Sequence, residues 1–152
     1  MKVLLAGGGT GGHVYPAIAI ANKIKEHNPD CEILFVGTKN GIESEIVPKA
    51  GFELKTVTVQ GFKRKIDFDN VKRVFKLCKG LEQSRRIVKK YKPDIVIGTG
   101  GYVSGPVLFN AAMSKKVTIV HEQNSFPGVT NKILSKVTTK VLTSFEDSHK
   151  RF

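Results

Sequence analysis

Cysteines and long apolar runs are both scarce in this sequence, and each scarcity excludes a class of protein. The 152 residues include two cysteines, Cys31 and Cys78, which are too few for a disulfide framework and are expected to be small core residues. No apolar run approaches the roughly 18–20 residues that a membrane-spanning helix needs. The N-terminus does not read as a signal peptide, because its short apolar run breaks directly into glycines. We therefore expect a cytoplasmic chain whose contact with any membrane is peripheral.

Negative charge is scarce in one segment of the chain. The sequence has 25 lysines and arginines against 13 aspartates and glutamates, which gives a formal net charge of +12. Residues 62–92 hold twelve of these cations and only three of the anions, so most of the excess charge lies in one short segment. Such a basic patch is typical of a surface that binds an anionic partner.

Repeats and low-complexity segments are absent, and apolar strands alternate regularly with helical patterns instead. The strands are nearly continuous runs of valine, isoleucine and leucine, which is typical of a sheet covered on both faces. We predict strands at 2–6, 31–36, 53–59, 94–98, 117–121 and 139–143, and helices at 14–27, 42–50, 69–91, 104–114, 128–137 and 145–151. This order predicts one α/β domain with a doubly wound, mostly parallel, Rossmann-like sheet.

Three glycine-rich or polar segments follow predicted strands, at 7–13, 98–106 and 121–125. Ligands of doubly wound sheets bind beyond the carboxyl ends of the strands. The predicted topology therefore brings these three segments together around one crevice.

The first of these segments, 7–13, leads from a strand into a helix. Its glycines allow a ligand to approach the backbone closely, and the unpaired N–H groups of the helix N-terminus attract an anion such as a phosphate. His13 closes the segment and places a ring that can accept a proton beside this anion site, which makes it a candidate catalytic residue. The alternative is a histidine that only hydrogen-bonds a backbone carbonyl.

The same glycines match the Gly-x-Gly-x-x-Gly pattern of dinucleotide-binding proteins, which is a weak signal by itself. Such a site also needs a carboxylate at the end of the second strand, and Phe35-Val36-Gly37-Thr38-Lys39 contains none. This disfavours a nicotinamide or flavin dinucleotide, and no cofactor is expected. A turn in which the glycines have only a structural purpose stays open.

Hydrogen-bonding side chains fill the other two segments. In 98–106, Tyr102 and Ser104 are candidate donors to sugar or phosphate oxygens, and a loop packed only for shape is the alternative. The run His121-Glu122-Gln123-Asn124 places four polar side chains at a strand end, which folding alone does not require. A zinc site there is disfavoured because no third and fourth ligand has a suitable spacing.

The basic patch falls on a long predicted helix, 69–91. Apolar residues at helical spacing predict its core face, which consists of Val71, Val74, Phe75, Cys78 and Leu81. Other apolar residues lie off that stripe among the cations and favour docking on anionic lipid. The predicted membrane patch consists of Arg64, Lys65, Ile66, Phe68, Lys72, Arg73, Lys76, Leu77 and Lys79. The alternatives are a solvated basic face and nucleic-acid binding, and the latter lacks a recognised reader motif.

The sequence resembles the MurG family of peptidoglycan N-acetylglucosaminyltransferases. The resemblance rests on 8–16, on 98–106, on His121-Glu122-Gln123-Asn124 and on Thr130-Asn131-Lys132, which follow one another in family order. It implies the N-terminal half of a two-domain GT-B enzyme that is metal-independent and inverting. Such an enzyme transfers GlcNAc from UDP-GlcNAc to the lipid-linked muramoyl sugar of lipid I, at the cytoplasmic face of the cell membrane.

The resemblance also implies roles for particular residues. His13 becomes the candidate general base, and the acceptor diphosphate is expected to contact Gly9, Thr10, Gly11, Gly12, Gly100, Gly101, Tyr102 and Ser104. On the donor side, the cleft is expected to be lined by His121, Glu122 and Asn124. The family's C-terminal donor domain is absent from these residues, so 1–152 is expected to be an acceptor-binding, membrane-associating domain. The alternatives are half of a split enzyme and a non-catalytic subunit that recruits a glycosyltransferase to the membrane.

Overall fold

The structure, a computed structural model, describes residues 1–61 and 69–152. Within them the strands are β1 (Lys2–Gly7), β2 (Glu32–Gly37), β3 (Glu53–Thr56), β4 (Ile95–Gly100), β5 (Val117–Glu122) and β6 (Lys140–Thr143). The helices are α1 (Gly11–His27), α2 (Glu43–Lys49), α3 (Asp69–Tyr91), α4 (Ser104–Met113), α5 (Val129–Leu134) and α6 (Glu146–His149). None of these helices is both long and apolar enough to cross a membrane.

The strands of the described residues form a single sheet in the order β3-β2-β1-β4-β5-β6, and every neighbouring pair is parallel. This confirms the predicted doubly wound sheet. The chain builds outward from β1 in one direction and then returns to add β4 on its other side. The loops that follow β1 and β4 therefore leave from adjacent strand ends at the point of reversal, which is where ligands of such sheets bind.

Helices cover both faces of the sheet, because the central strands carry apolar side chains on both. On one face, Val3 and Leu5 of β1 pack with residues of α1 and α2. On the other face, Leu4 and Ala6 pack with residues of α3, α4 and α5. All four side chains are fully buried, which explains why β1 reads as an unbroken apolar run and not as an alternation.

Helix α1 begins at Gly11, three residues before the predicted start. Glycine is a poor helix former, so the sequence pattern alone gave no reason to include Gly11 and Gly12. Thr10 is the residue that precedes the helix, and its carbonyl accepts hydrogen bonds from the N–H groups of His13 at 3.1 Å and Val14 at 3.2 Å. His13 therefore lies inside the first helical turn, and the N–H groups of Gly11 and Gly12 precede the first intrahelical bonds.

The predicted core face of α3 is wrong over the first part of the helix. Val71, Val74 and Phe75 are 57%, 48% and 72% exposed, and Cys78 is exposed as well, whereas Cys31 is buried as predicted. Helical spacing identified the apolar stripe correctly. It could not show whether another element packs on the stripe, and none of the described elements does.

The packed face of α3 begins farther along and runs through Gly80, Ser84 and Val88, which are buried. A side chain at position 80 would collide with the Thr58–Val59 segment, so glycine allows the helix to lie close to the residues that follow β3. The N–H of Thr58 donates to Oε1 of Gln83 at 2.6 Å, which directs the chain to α3 and ends β3 earlier than predicted.

Candidate functional site

The two glycine-rich loops are in direct contact. Gly101 has a φ of +78°, and a side chain added there would overlap the carbonyl oxygen of Gly8. Thr99, which is fully buried, donates from its hydroxyl to the backbone oxygen of His13 at 2.7 Å. The loop after β4 is therefore fixed against both the loop after β1 and the first turn of α1, and the predicted convergence of these segments is confirmed.

His13 is held in one orientation by its own loop. Its Nδ1 lies 3.1 Å from the carbonyl oxygen of Gly8 and 3.1 Å from the hydroxyl of Thr10. A carbonyl only accepts hydrogen bonds, so Nδ1 is the donor in this contact, and in the neutral ring the lone pair is then on Nε2. Gly100 packs against the other edge of the ring, where an added Cβ would lie 2.9 Å from Nε2.

The ring borders a groove of about 790 Å³. One end of the groove is polar and lies at the strand ends, with the side chains of Thr10, His13, Tyr102, Glu122, Asn124 and Asn131. The other end is apolar and passes between α3, α4 and α5, with Val59, Leu77, Leu81, Pro106, Phe109, Val129, Ile133, Leu134 and Val137. A groove of this volume and mixed character is suited to an amphipathic organic ligand.

The two hydroxyl residues of the second loop have different surroundings. Tyr102 is 57% exposed and lines the groove. Ser104 is fully buried beneath the loop, where its hydroxyl lies 2.8 Å from the carbonyl oxygens of both Ala6 and Gly100 and accepts from the N–H of Gly100 at 3.2 Å. Ser104 thus holds the loop against β1, and Tyr102 is the hydroxyl of this pair that a ligand can reach.

Glu122 organises the third segment from below. Its side chain is only 1% exposed. Its Oε1 accepts hydrogen bonds from the backbone N–H and from Nδ2 of Asn124, both at 2.9 Å. Its Oε2 accepts from the N–H of Gly128 at 3.0 Å and from Nδ2 of Asn131 at 2.8 Å. Burial opposes ionisation, but these four bonds outweigh it and lower the pKa of the Glu122 carboxyl. Its acceptor capacity is used within the protein, so Glu122 shapes the loop that carries Asn124 to the groove.

His121 lies farther from the groove. Its Nε2 is 3.2 Å from the hydroxyl of Ser144, at the end of β6. Burial lowers the pKa of His121 although the neighbouring Glu122 carboxylate opposes the shift, so the ring is neutral at pH 7. Of the three predicted cleft residues, Glu122 and Asn124 line the groove and His121 does not. Within residues 1–61 and 69–152, no cluster of three metal-ligating side chains is present.

Sequence reasoning missed two buried polar residues of the site, Thr99 and Glu43. Thr99 gave no signal, because it reads as one more residue of a loop that was already singled out. Glu43 is fully buried beneath the first glycine loop. In the sequence, the signal was that Glu43 lies close to two glycines, Gly37 and Gly41. In the structure these glycines make room for Glu43, because a side chain at either position would overlap it.

The two buried carboxylates are expected to make the fold less stable in acid. Hydrogen bonds also outweigh burial at Glu43 and lower the pKa of its carboxyl. A carboxyl whose pKa is lower in the folded protein than in the unfolded chain stabilises the fold at pH values above the usual glutamate pKa of about 4.3. This stabilisation is lost as the pH falls from there through the folded-state pKa. Each unit of pKa depression corresponds to about 1.4 kcal/mol.

Urea unfolding measured between about pH 7 and pH 3 tests this expectation. Glu122→Gln should flatten the loss of stability in acid, whereas Glu146→Gln, at an exposed position on α6, should leave it unchanged. An acid profile that is the same in Glu122→Gln as in the unmodified chain contradicts the expectation.

The sequence matches the family model described as the glycosyltransferase family 28 N-terminal domain over residues 3–143. The chain belongs to this family. Its match to the family 28 domain runs from Val3 in β1 to Thr143 at the end of β6, and it includes all the residues that line the groove.

Relatives of this family 28 domain include two curated proteins named UDP-N-acetylglucosamine–N-acetylmuramyl-(pentapeptide) pyrophosphoryl-undecaprenol N-acetylglucosamine transferase. The protein from Clostridioides difficile (strain 630) is 86% identical over the whole chain, which corresponds to 37% of its length. The protein from Alkaliphilus oremlandii (strain OhILAs) is 59% identical over the whole chain and 42% of its length. The chain thus spans about two fifths of the length of these relatives.

A solved structure gives the same result for the fold. The crystal structure of Acinetobacter baumannii MurG superposes with a TM-score of 0.83 and 31% identity, covering 97% of this chain and 42% of that one. These matches confirm the resemblance to the MurG family and the assignment of the fold to half of a GT-B glycosyltransferase.

Proposed function

We propose that this chain is the acceptor-binding half of an N-acetylglucosaminyltransferase that converts lipid I to lipid II. The names of the C. difficile and A. oremlandii relatives describe GlcNAc transfer to a sugar on pyrophosphoryl-undecaprenol. One observation in the structure carries the proposal: His13 and a helix N-terminus lie at one end of a groove whose other end is apolar. In that acceptor a sugar is followed by a diphosphate and then by a prenyl chain. Along the groove, in the same order, His13 is followed by the anion site at the helix N-terminus and then by the apolar surface.

The diphosphate is proposed to bind between the two glycine loops. The N–H groups of Gly11 and Gly12 begin a 17-residue helix, whose dipole favours negative charge at this end. Thr10 and Tyr102 border the same space and offer hydroxyl donors. These donors are proposed to hold the diphosphate without a metal ion, as the resemblance to the MurG family implies.

His13 is proposed to be the general base of an inverting displacement. Its Nε2 takes the proton of the acceptor 4-hydroxyl while that oxygen attacks the anomeric carbon of UDP-GlcNAc. The bond between the anomeric carbon and the diphosphate oxygen breaks at the same time, and UDP leaves with the bonding electron pair. A C-terminal donor domain, in the same chain or in trans, is proposed to hold UDP-GlcNAc and to stabilise the leaving group.

The prenyl chain is proposed to follow the apolar end of the groove. It is attached directly to the diphosphate, so its first units must lie within a few ångströms of the glycine loops. Phe109 and Ile133 line the groove there and are 44% and 64% exposed, so they would be covered by such a chain. Burial of this surface would favour a lipid-linked acceptor over a free sugar diphosphate.

The membrane-binding surface is proposed to be the exposed start of α3. Four residues of the predicted patch, Arg64, Lys65, Ile66 and Phe68, lie outside the described residues. Of the others, Lys72, Lys76 and Lys79 are exposed, whereas Arg73 and Leu77 are half-buried and Leu77 lines the groove. The exposed apolar side chains among these lysines are Val71, Val74 and Phe75. Apolar tips within a ring of cations favour peripheral binding to the anionic cytoplasmic face of the cell membrane.

Phe75→Ser is expected to weaken binding to anionic vesicles by about five- to thirty-fold. Burying a phenylalanine side chain contributes about 1.5–3 kcal/mol, and an interfacial side chain realises part of it. Vesicle co-sedimentation measures the partition coefficient. Val74→Ser and Val117→Ser provide a matched comparison, because the two valines are 48% and 46% exposed but Val117 is the first residue of β5 and not part of α3. Equal loss of binding in both valine variants would contradict the assignment of α3.

Combination with a donor domain tests the proposed function as a whole. Residues 1–152 alone are expected to bind lipid I and anionic vesicles and to transfer negligible GlcNAc. Adding the donor domain, in cis or in trans, should produce lipid II. Transfer by residues 1–152 alone would contradict the division of labour, and salt-sensitive binding to duplex DNA in preference to vesicles would overturn the lipid assignment of the basic surface.

A further inference from the structure

Glu43 is a buried carboxylate that the proposed reaction does not use. It is the first residue of α2 and is fully buried, directly beneath the glycine loop that follows β1. Space for it exists only because its neighbours lack side chains: a Cβ at Gly8 would lie 2.5 Å from Oε1, and Cβ atoms at Gly37 and Gly41 would overlap the Glu43 side chain. Three positions around one acidic side chain are therefore glycines, and the loop is built around this group.

The carboxylate is held by donors from two segments. Its Oε1 accepts from the N–H and the hydroxyl of Thr38, at 2.8 and 2.6 Å. Its Oε2 accepts from the N–H of Gly9 at 3.0 Å. Gly9 lies on the glycine loop with a φ of +85°, a conformation that glycine adopts without strain.

The hydrogen bond from the Gly9 N–H to Glu43 orients a whole peptide plane. In a trans peptide, the N–H of one residue and the C=O of the preceding residue point in opposite directions. The Gly8–Gly9 peptide directs its N–H at Glu43 and its C=O at Nδ1 of His13, which lies 3.1 Å from the Gly8 oxygen. The orientation of a single peptide plane therefore links Glu43 to the proton position on His13.

We propose that Glu43 is a positioning residue that orients the Gly8–Gly9 peptide and so keeps the His13 proton on Nδ1, with Nε2 as the base. The catalytic part of this inference rests on the proposed function, whereas the proton position does not. Rotation of the peptide by half a turn presents the Gly9 N–H to Nδ1 and requires the opposite tautomer. Both residues of the peptide are glycines, so no Cβ of its own opposes that rotation, and the peptide is held by its hydrogen bonds and by the contact of the Gly8 carbonyl with Gly101.

Glu43→Gln tests the relay because it preserves shape and reverses one hydrogen bond. The glutamine oxygen satisfies the two donors of Thr38, which leaves an NH₂ group facing the Gly9 N–H. Rotation of the peptide relieves this conflict, since the Gly8 carbonyl then accepts from the glutamine. The expected result is a change of His13 from mainly Nδ1–H to mainly Nε2–H, observed by ¹⁵N NMR of the chain at a pH where the ring is neutral.

Glu45→Gln is the matched control, because Glu45 lies on the same helix, is exposed and pairs with Lys49. It should leave His13 as the Nδ1–H tautomer. If Glu43→Gln fails to fold, Glu43→Asp replaces it, since a shorter carboxylate that remains with Thr38 cannot reach Gly9, and a mixture of tautomers is expected. A folded variant of Glu43 with His13 unchanged as Nδ1–H overturns the relay.

Kinetics of the full-length protein separate this inference from the proposed function. Glu43→Gln should lower kcat by about tenfold or more while KM for UDP-GlcNAc changes little, because the base is misdirected and the donor domain is intact. A changed tautomer with unchanged kcat would uphold the relay and refute His13 as the base. An unchanged tautomer would refute the relay at any level of activity.

Discussion

Replacing His13 with alanine is expected to lower kcat for GlcNAc transfer by about 10²- to 10⁴-fold, the usual contribution of a positioned general base. The loss follows from geometry: His13 borders the groove beside the helix N-terminus, and no other imidazole of the described residues lines that groove. KM for UDP-GlcNAc should change little, because the donor domain is proposed to hold the nucleotide. Steady-state kinetics of the full-length protein with lipid I or a soluble analogue measure both quantities.

His27→Ala is the control for this experiment, because His27 is an exposed histidine at the other end of the same helix. It should retain full activity. If His13→Ala also retains full activity, His13 is not the base, and the chain is better described as a subunit that recruits a separate catalytic domain to the membrane. Loss of vesicle binding in His13→Ala would contradict the assignment of membrane binding to the exposed start of α3, since His13 is distant in sequence from that segment.

Gly101→Ala is expected to separate the two glycine loops. The new methyl group would overlap the Gly8 carbonyl oxygen, and the φ of +78° adds backbone strain. Together these effects should lower the free energy of unfolding by about 2–5 kcal/mol. Displacing the Gly8 carbonyl also removes a hydrogen-bond partner of His13, and a displacement of about 1 Å at such a site can reduce kcat by about 10²-fold.

Gly51→Ala provides the comparison that isolates the collision. Gly51 has a φ of +84°, nearly that of Gly101, but an added Cβ there meets no atom within 4 Å. It should therefore cost only the backbone strain, about 1–2 kcal/mol, and should leave kcat unchanged. Urea unfolding of the three proteins measures the difference, and equal destabilisation by the two substitutions would show that the loops do not depend on close contact.

Much of the fold could be predicted because each element has a local cause. The buried strand of Val3 to Ala6 reads as continuous apolar residues, and the alternation of strands with helices leaves a parallel, doubly wound sheet as the simplest arrangement. The site was accessible for a related reason. Segments 7–13, 98–106 and 121–125 all follow strands, and in a parallel sheet the residues that follow strands meet at one edge.

The errors share a physical cause as well. The stripe of Val71, Val74 and Phe75 has the spacing of a core face, and spacing shows which residues share a face but not what covers that face. Tyr102 and Ser104 both carry hydroxyl groups and lie two residues apart in the sequence. Ser104 nevertheless lies beneath the loop, whereas Tyr102 lies at the groove. Exposure of this kind depends on chain segments that are distant in sequence.

The sequence by itself determined the parallel sheet, the position of the glycine loops at its edge and the resemblance to the MurG family, because periodicity, glycine placement and short motifs are properties of consecutive residues. Only the tertiary structure decided that Gly8 contacts Gly101, that Glu43 lies beneath Gly9 and that none of the described elements covers the apolar face at the start of α3. Each of these facts joins segments that are far apart in the chain. Their hydrogen bonds and contacts exist only once the sheet has brought those segments together.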